Sequence, residues 1–348
     1  MPGAVPGAVP GAVPDAVPGT MTGAVPGAVP DAVPGAVPGA VRPGRALLVV
    51  GDVVTDVVAR YAGGTLAYGT DTAAEIRILP GGAGANAACW AAYRGCPEVR
   101  LLGRVGREWA PWHEIHLRGA GVRPLLVPDQ ETPTATVVAL VDGSAERTFL
   151  TDSGAALRLS PDDWSPALLD GVARIHLSGY LFFARESREL ALVALAQARE
   201  RGVPVSVDPA SAGFIETFGV ARFLAASSGA DVLLPNADEA RLLTGLPDTA
   251  DAAAALSRRV PLTVVTLGAG GALVAESGSV TARVPPVPAA AVDSTGAGDA
   301  FTGAFLAALV TGADPAAAAR EGCRAGAHAV TLPGGRPPGR DGGVTGDV

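Results

Sequence analysis

Asp293-Ser294-Thr295-Gly296-Ala297-Gly298-Asp299-Ala300-Phe301 runs directly into Thr302-Gly303-Ala304-Phe305-Leu306-Ala307-Ala308-Leu309. The pattern predicts a strand end, a glycine turn and then an apolar helix. At such a helix start the N–H groups of Gly296, Ala297, Gly298 and Asp299 have no carbonyl one turn back to pair with, which makes an anion cradle. A carboxylate, Asp299, among donors suited to phosphate makes sense if it takes a proton from a hydroxyl attacking beside a bound anion. It also makes sense as a cap that complements the helix dipole. The spacing alone admits both readings.

The composition suits one large α/β domain with a substantial core: 348 residues, 48% hydrophobic, formal net charge −8. All 26 Lys+Arg residues are arginine, which excludes Schiff-base chemistry, attachment of pyridoxal phosphate and a Walker A lysine. A bound phosphate must then be held by backbone amides, arginine or a metal. Arginines are scattered among acids with no basic block, so nucleic acid is not an expected partner. The cysteines, Cys89, Cys96 and Cys323, are odd in number and lack CxxC spacing, which fits a reducing, cytoplasmic setting.

Residues 1–44 are near-perfect Gly-Ala-Val-Pro repeats, interrupted by Asp15, Asp31 and Thr20-Met21-Thr22. Proline at every fourth position forbids a helix, and there is neither a basic leader nor an unbroken apolar run, so signal peptide and membrane span are both disfavoured. The expectation is a disordered, partly polyproline II tail, with a self-associating spacer as the functional alternative and Met21 as a second candidate start.

The folded part begins at Arg45. Ala46-Leu47-Leu48-Val49-Val50 reads as a strand buried on both faces, and Asp52 and Asp56 follow at its C-terminal end, where open α/β sheets bind ligands. Pro80-Gly81-Gly82-Ala83-Gly84-Ala85-Asn86 leads into a helix expected over Ala87 to Arg94. A dinucleotide fingerprint would sit directly after the first strand, and this loop comes about thirty residues later, which disfavours a dehydrogenase. Val99 to Gly103 reads as a strand and Trp109 to Gly119 as a helix. His113 and His116 lie on that helix without a third ligand or HExxH spacing, so a metal site is not supported.

Residues 61–79, Pro124 to Val127, Ala135 to Val141 and Arg147 to Leu150, with a turn at Asp142-Gly143-Ser144, suggest a small antiparallel sheet closing over a site. This lid spans about 55–79 and 122–152. Beyond Ser160, strands at 174–178, 205–208, 232–235 and 263–267 alternate with helices at about 187–201, 218–228 and 237–244, a doubly wound parallel sheet. Asn236 is a natural N-cap for the last of these helices, and Glu239 suits its dipole; a metal-water role for the pair follows only if a phosphate site lies nearby.

From about Ala46 to Pro337 the chain resembles the ribokinase-like, or PfkB-type, carbohydrate kinases. Three motifs carry the resemblance: Gly81-Gly82-Ala83-Gly84-Ala85-Asn86, Asn236-Ala237-Asp238-Glu239 and Asp293-Ser294-Thr295-Gly296-Ala297-Gly298-Asp299. It implies a three-layer α/β/α sandwich with a mostly parallel doubly wound sheet and a small β lid. The kinase domain would cover 45–337, leaving 338–348 as a disordered tail. The implied activity is transfer of the ATP γ-phosphoryl group to a hydroxyl of a small carbohydrate, in the cytoplasm.

By the same resemblance Asp299 is the general base and Gly296, Ala297 and Gly298 form the anion hole. Asp56, Gly82 and Asn86 contact substrate hydroxyls; Asn236, Thr266, Gly268 and Gly271 lie at ATP; Asn236 and Glu239 hold Mg²⁺ through water; and Asp293 is a candidate K⁺ ligand. Where ribokinases often carry lysine, this chain has Ala83, and where sugar kinases commonly have Asp-Gly after Gly106 it has Arg107-Glu108-Trp109. Trp109 and Trp112 read as packing residues, and residues 178–183 as shaping specificity. A nucleoside kinase of the adenosine or pseudouridine type, with Tyr61 or Tyr68 stacking in the lid, and a non-catalytic sugar-binding regulator are the alternatives. The lid also suggests a homodimer by edge pairing.

Overall fold

A computed structural model describes residues 44–62, 66, 69–143 and 147–339. The expected tails lie outside these residues except for Gly44, Pro338 and Gly339, and Tyr68 lies outside them too. The strands are β1 (Ala46–Val50), β2 (Val54–Tyr61), β3 (Ala74–Gly81), β4 (Glu98–Gly106), β5 (Arg123–Asp129), β6 (Ala135–Val141), β7 (Arg147–Asp152), β8 (Val172–Ser178), β9 (Val205–Asp208), β10 (Val232–Leu233), β11 (Leu262–Thr266), β12 (Ala272–Glu276) and β13 (Ser279–Val284). The helices are α1 (Ala83–Tyr93), α2 (Ala110–Gly119), α3 (Arg185–Glu200), α4 (Ala212–Phe218), α5 (Val220–Ala226), α6 (Ala237–Thr244), α7 (Thr249–Leu256), α8 (Ala297–Val310) and α9 (Pro315–Ala329).

The main sheet runs β13-β12-β11-β10-β9-β8-β1-β4-β5 and is parallel except for β12 and β13. Strand β1 sits inside it and shows why its sequence is unbroken apolar. Ala46, Leu48 and Val50 face one core with α3 to α7, while Leu47 and Val49 face the other with α1, α2, α8 and α9. Two helical layers thus sandwich the sheet. No helix among the described residues is long and apolar enough to cross a membrane.

Four expectations need correcting. Residues 124–127 belong to β5, which pairs parallel with β4 at the main sheet's edge, not to the lid. Pro124 and Pro128 are tolerated in an edge strand, where one side needs no ladder bonds. The lid, β3-β2-β6-β7, is mixed, because β2 pairs parallel with β6. Its chain leaves β3 for the main sheet and returns only at β6, and that crossover permits parallel pairing.

Helix α1 begins at Ala83, four residues ahead of the expected Ala87, because a distant carboxylate caps it: Ala83 and Gly84 donate N–H bonds to Asp52 at 2.7 and 3.2 Å. No strand leads into Asp293. Strand β13 ends at Val284, and the irregular stretch after it is held by the N–H groups of Val292 and Asp293 on the Val330 carbonyl at 2.7 and 3.1 Å.

Helices α1 and α8 pack so closely that a Cβ on Gly303 would overlap the Ala87 carbonyl oxygen and the Ala91 nitrogen. This explains Gly303 in α8 and the small residues, Ala87 and Ala91, that α1 presents to it. Gly303→Val will lower the unfolding free energy by about 1–3 kcal/mol through overpacking, measured by urea titration.

Candidate active site

The C-terminal ends of the parallel strands and the lid enclose a cavity of about 500 Å³. Asp52, Asp208, Asn236 and Thr266 reach it from strand ends, Asp56 and Phe149 from the lid, and Gly298 and Asp299 from the start of α8. Gly296 caps α8 with φ 72°, a left-handed conformation, and lies so close to Gly335 that a side chain would overlap it. The Ala297 N–H bonds to the Ser294 carbonyl at 3.3 Å, so the donors of the turn left without a partner among the described residues are those of Gly296, Gly298 and Asp299 rather than all four.

Asp299 accepts a 2.8 Å hydrogen bond from Asn86 Nδ2. Burial, opposed by that bond and reinforced by Asp208, Asp52 and Asp56, pushes its carboxyl up to about 8. Asp56 is raised to about 7 by burial, opposed by Arg336 and reinforced by Asp52. Glu239 and Asp208 are also raised, burial being the largest cause in each, with Asp208 adding to the shift of Glu239. One cavity therefore holds several carboxylates that resist simultaneous ionisation, an arrangement suited to a cationic ligand or to proton transfer.

Asn236 and Glu239 form a reciprocal capping box at 2.9 Å in both directions, so the helix-cap role is realised. The box uses Asn236 Oδ1 and Glu239 Oε2 and leaves Asn236 Nδ2 and Glu239 Oε1 for a ligand. Both residues line the cavity, as do Thr266, Asp56 and Gly82. Gly82, with φ 96°, fits against the Asp52 carbonyl and the Val54 nitrogen where a Cβ would clash.

Other expected site residues stand back from the cavity wall. Asn86 is buried against Asp299, and Ala297 is not among the residues that line the cavity. Gly268 and Gly271 form the turn after β11. Asp293 accepts from the N–H groups of Thr295 and Gly334 at 2.7 and 3.1 Å, which ties the cradle to the chain beyond α9.

Of the wall residues outside the three motifs, sequence reading marked Asp52 and Asp208 by strand-end position and Tyr180 within residues 178–183, and passed over Phe149 and Phe214. Asp52 also accepts from Ser178 Oγ at 2.9 Å, and Asp208 accepts from Ala210 N–H and Thr302 Oγ1 at 2.7 and 3.2 Å. Their shared signal is position, since each carboxylate stands at the C-terminal end of a parallel strand. Tyr180 and Phe214 line the cavity with ring centroids 5.5 Å apart, edge to face, while Tyr61 is not among its lining residues. Trp109 and Trp112 pack on each other at 5.2 Å, away from the cavity. His113 meets Thr55 Oγ1 at 3.0 Å and His116 meets the Trp112 carbonyl at 2.8 Å, so the two imidazoles have separate partners.

The fructokinase of Klebsiella pneumoniae is 31% identical over 273 residues, which is 75% of this chain and 83% of that protein. The adenosine kinase structure from Sinorhizobium meliloti aligns with a TM-score of 0.76 over 84% of this chain and 96% of its own, at 23% identity, a likeness of fold. The aminoimidazole riboside kinase from Salmonella enterica, solved with aminoimidazole riboside and an ATP analogue, aligns with a TM-score of 0.68 at 27% identity, over 83% of this chain and 95% of its own. The family described as pfkB family carbohydrate kinase matches residues 45–340, and the chain belongs to that family of phosphotransferases with an alcohol group as acceptor.

Proposed function

We propose that the chain transfers the γ-phosphoryl group of ATP to a hydroxyl of a small sugar or ribonucleoside, with Asp299 as the base. The observation that carries this reading is the placing of the Asp299 carboxylate and the unpaired N–H groups of Gly298 and Asp299 at one end of the cavity. Kinases of this family use ATP with a divalent metal. The site suits both, because its donors are backbone amides for phosphate and its acceptors are hard oxygens, Glu239 Oε1 and the Asp208 carboxylate. Bound Mg²⁺ supplies neutralisation of the phosphate charge.

The chain's own residues then have distinct tasks. Asp56 and the Gly82 turn hold the acceptor. Asp299 takes the proton of the attacking hydroxyl, and the N–H groups at the start of α8 stabilise charge on the transferring group. Asn236 and Glu239 hold the metal's waters, Thr266 with the Gly268 to Gly271 turn flanks the nucleotide, and Asp293 is the residue around which K⁺ would be held.

The aromatic lining of Tyr180, Phe214 and Phe149 favours a ribonucleoside as the second reading, because a flat base has surfaces to stack on there. ADP release with Mg-ATP over a panel of sugars, sugar acids and nucleosides tests the function. Tight binding of one compound without turnover of any would overturn it in favour of a non-catalytic regulator.

The outer face of the lid exposes Ile76, Ile78 and Leu150, which supports pairing of two lids in a dimer. Light scattering at assay concentration should give twice the chain mass. Asp299→Asn should leave the KM for ATP nearly unchanged and lower kcat by on the order of 10²–10⁴-fold, measured in the same ADP-release assay. Because the base acts only when ionised and its carboxyl is raised to about 8, kcat/KM should climb with pH and level off above that value. A profile flat from pH 6 to pH 9 contradicts the assignment.

A further inference from the structure

We propose that Arg336 is a positioning residue for Asp299, acting through Asn86: its guanidinium fixes which end of the Asn86 amide faces the base. The proposal rests on the reading of Asp299 as the base. Arg336 follows α9 in the chain, and no motif marks it. Its Nε donates to Asn86 Oδ1 at 3.4 Å, and its Nη2 donates to the Gly81 carbonyl at 3.2 Å. On the other side of the same amide, Nδ2 donates to Asp299 Oδ2 at 2.8 Å.

An asparagine amide can be turned either way, and here its surroundings choose. A guanidinium only donates and an ionised carboxylate only accepts, so one orientation satisfies both neighbours and the reverse satisfies neither. With Arg336 in place the NH₂ group must point at Asp299, where it steadies the ionised form.

The segment carrying Arg336 is held as a template would be. Trp90 Nε1 donates to the Gly335 carbonyl at 3.0 Å, and the Gly334 N–H donates to Asp293 at 3.1 Å. Gly335 has no side chain, and a Cβ there would overlap the Asn86 amide on one side, while Gly296 of the cradle presses on its backbone from the other. Among the described residues Arg336 Nη1 is buried with no hydrogen-bond partner, a desolvation cost that the fold accepts at this position. Asp56, Cys89 and His113 are the titratable groups that feel the guanidinium, and Asp52, Asp56 and Asp208 are the carboxylates that crowd Asp299. Removing the cation therefore acts directly on Asp56, toward holding its proton, and reaches Asp299 only through the Asn86 amide it no longer orients.

The test compares kcat–pH profiles of the parent, Arg336→Met, Asn86→Ala and the double variant, with melting temperatures to confirm folding. Arg336→Met should lower kcat by roughly ten- to a hundredfold and move the rising limb to higher pH, with the KM for ATP changed by less than about twofold. The double variant should fall no further than Asn86→Ala alone, because the arginine acts through that amide. An unshifted limb, or losses that add, overturns the proposal. If Arg336→Met fails to fold, Arg336→Lys carries the test, since an ammonium cannot hold the Asn86 and Gly81 contacts in the same fork; a profile matching the parent's overturns the proposal there too. Asp299→Asn run alongside separates the two readings. Full turnover by that variant removes the base itself, whereas its inactivity beside a normal Arg336→Met removes only the relay.

Discussion

The hydrogen bond from Asn86 to Asp299 joins residues 213 positions apart, and it exists only because α1 and α8 approach until their backbones nearly touch. That approach dictates glycine at 303 and a run of alanines in α1, a composition that looks featureless until the two helices are brought together. Capping by Asp52 sets the start of α1 and so the turn on which Asn86 stands. Gly296 and Gly335 set the height of α8 against the same point. Local backbone choices at four separate places thus converge on the orientation of one carboxylate.

That carboxylate sits among others, and the crowding has a thermodynamic cost. Asp299 holds its proton more tightly when folded, near 8, than in an ordinary exposed state, near 3.8. Its contribution to stability is therefore fully present below about 4 and is lost as the pH rises to about 8. The fold bears this strain at neutral pH, and a cation held beside Asp208 and Glu239 would relieve part of it. The free enzyme keeps a site poised for charge it does not itself contain.

Much of the fold was legible in the sequence because it rests on periodicity. The unbroken apolar β1, the alternation beyond Ser160 and the helix over Ala237–Thr244 follow from local pattern. The errors arose where a distant partner decides. The start of α1 is fixed by Asp52, the sheet to which residues 123–129 belong by pairing with β4, and the parallel β2–β6 pair by a crossover. At the site, the glycine motifs were legible because few other sequences satisfy a tight turn beside a helix start. Asp52 and Asp208 carried only the weak signal of strand-end position, and Tyr180 and Phe214 meet only once the sheet is assembled. Arg336 stands among prolines and glycines and carries no local signal at all.

The cradle and the arginine behind it come from the last stretch of the described chain, after every strand of both sheets. During synthesis the order of emergence is the order of the sequence. A chain still leaving the ribosome has every strand before it has α8 and α9, which complete the helical layer over Leu47 and Val49. Until those helices are made, one face of the main sheet keeps part of its apolar surface uncovered. The close fit of Gly335 between Gly296 and Asn86 is then among the last contacts around the cavity to form.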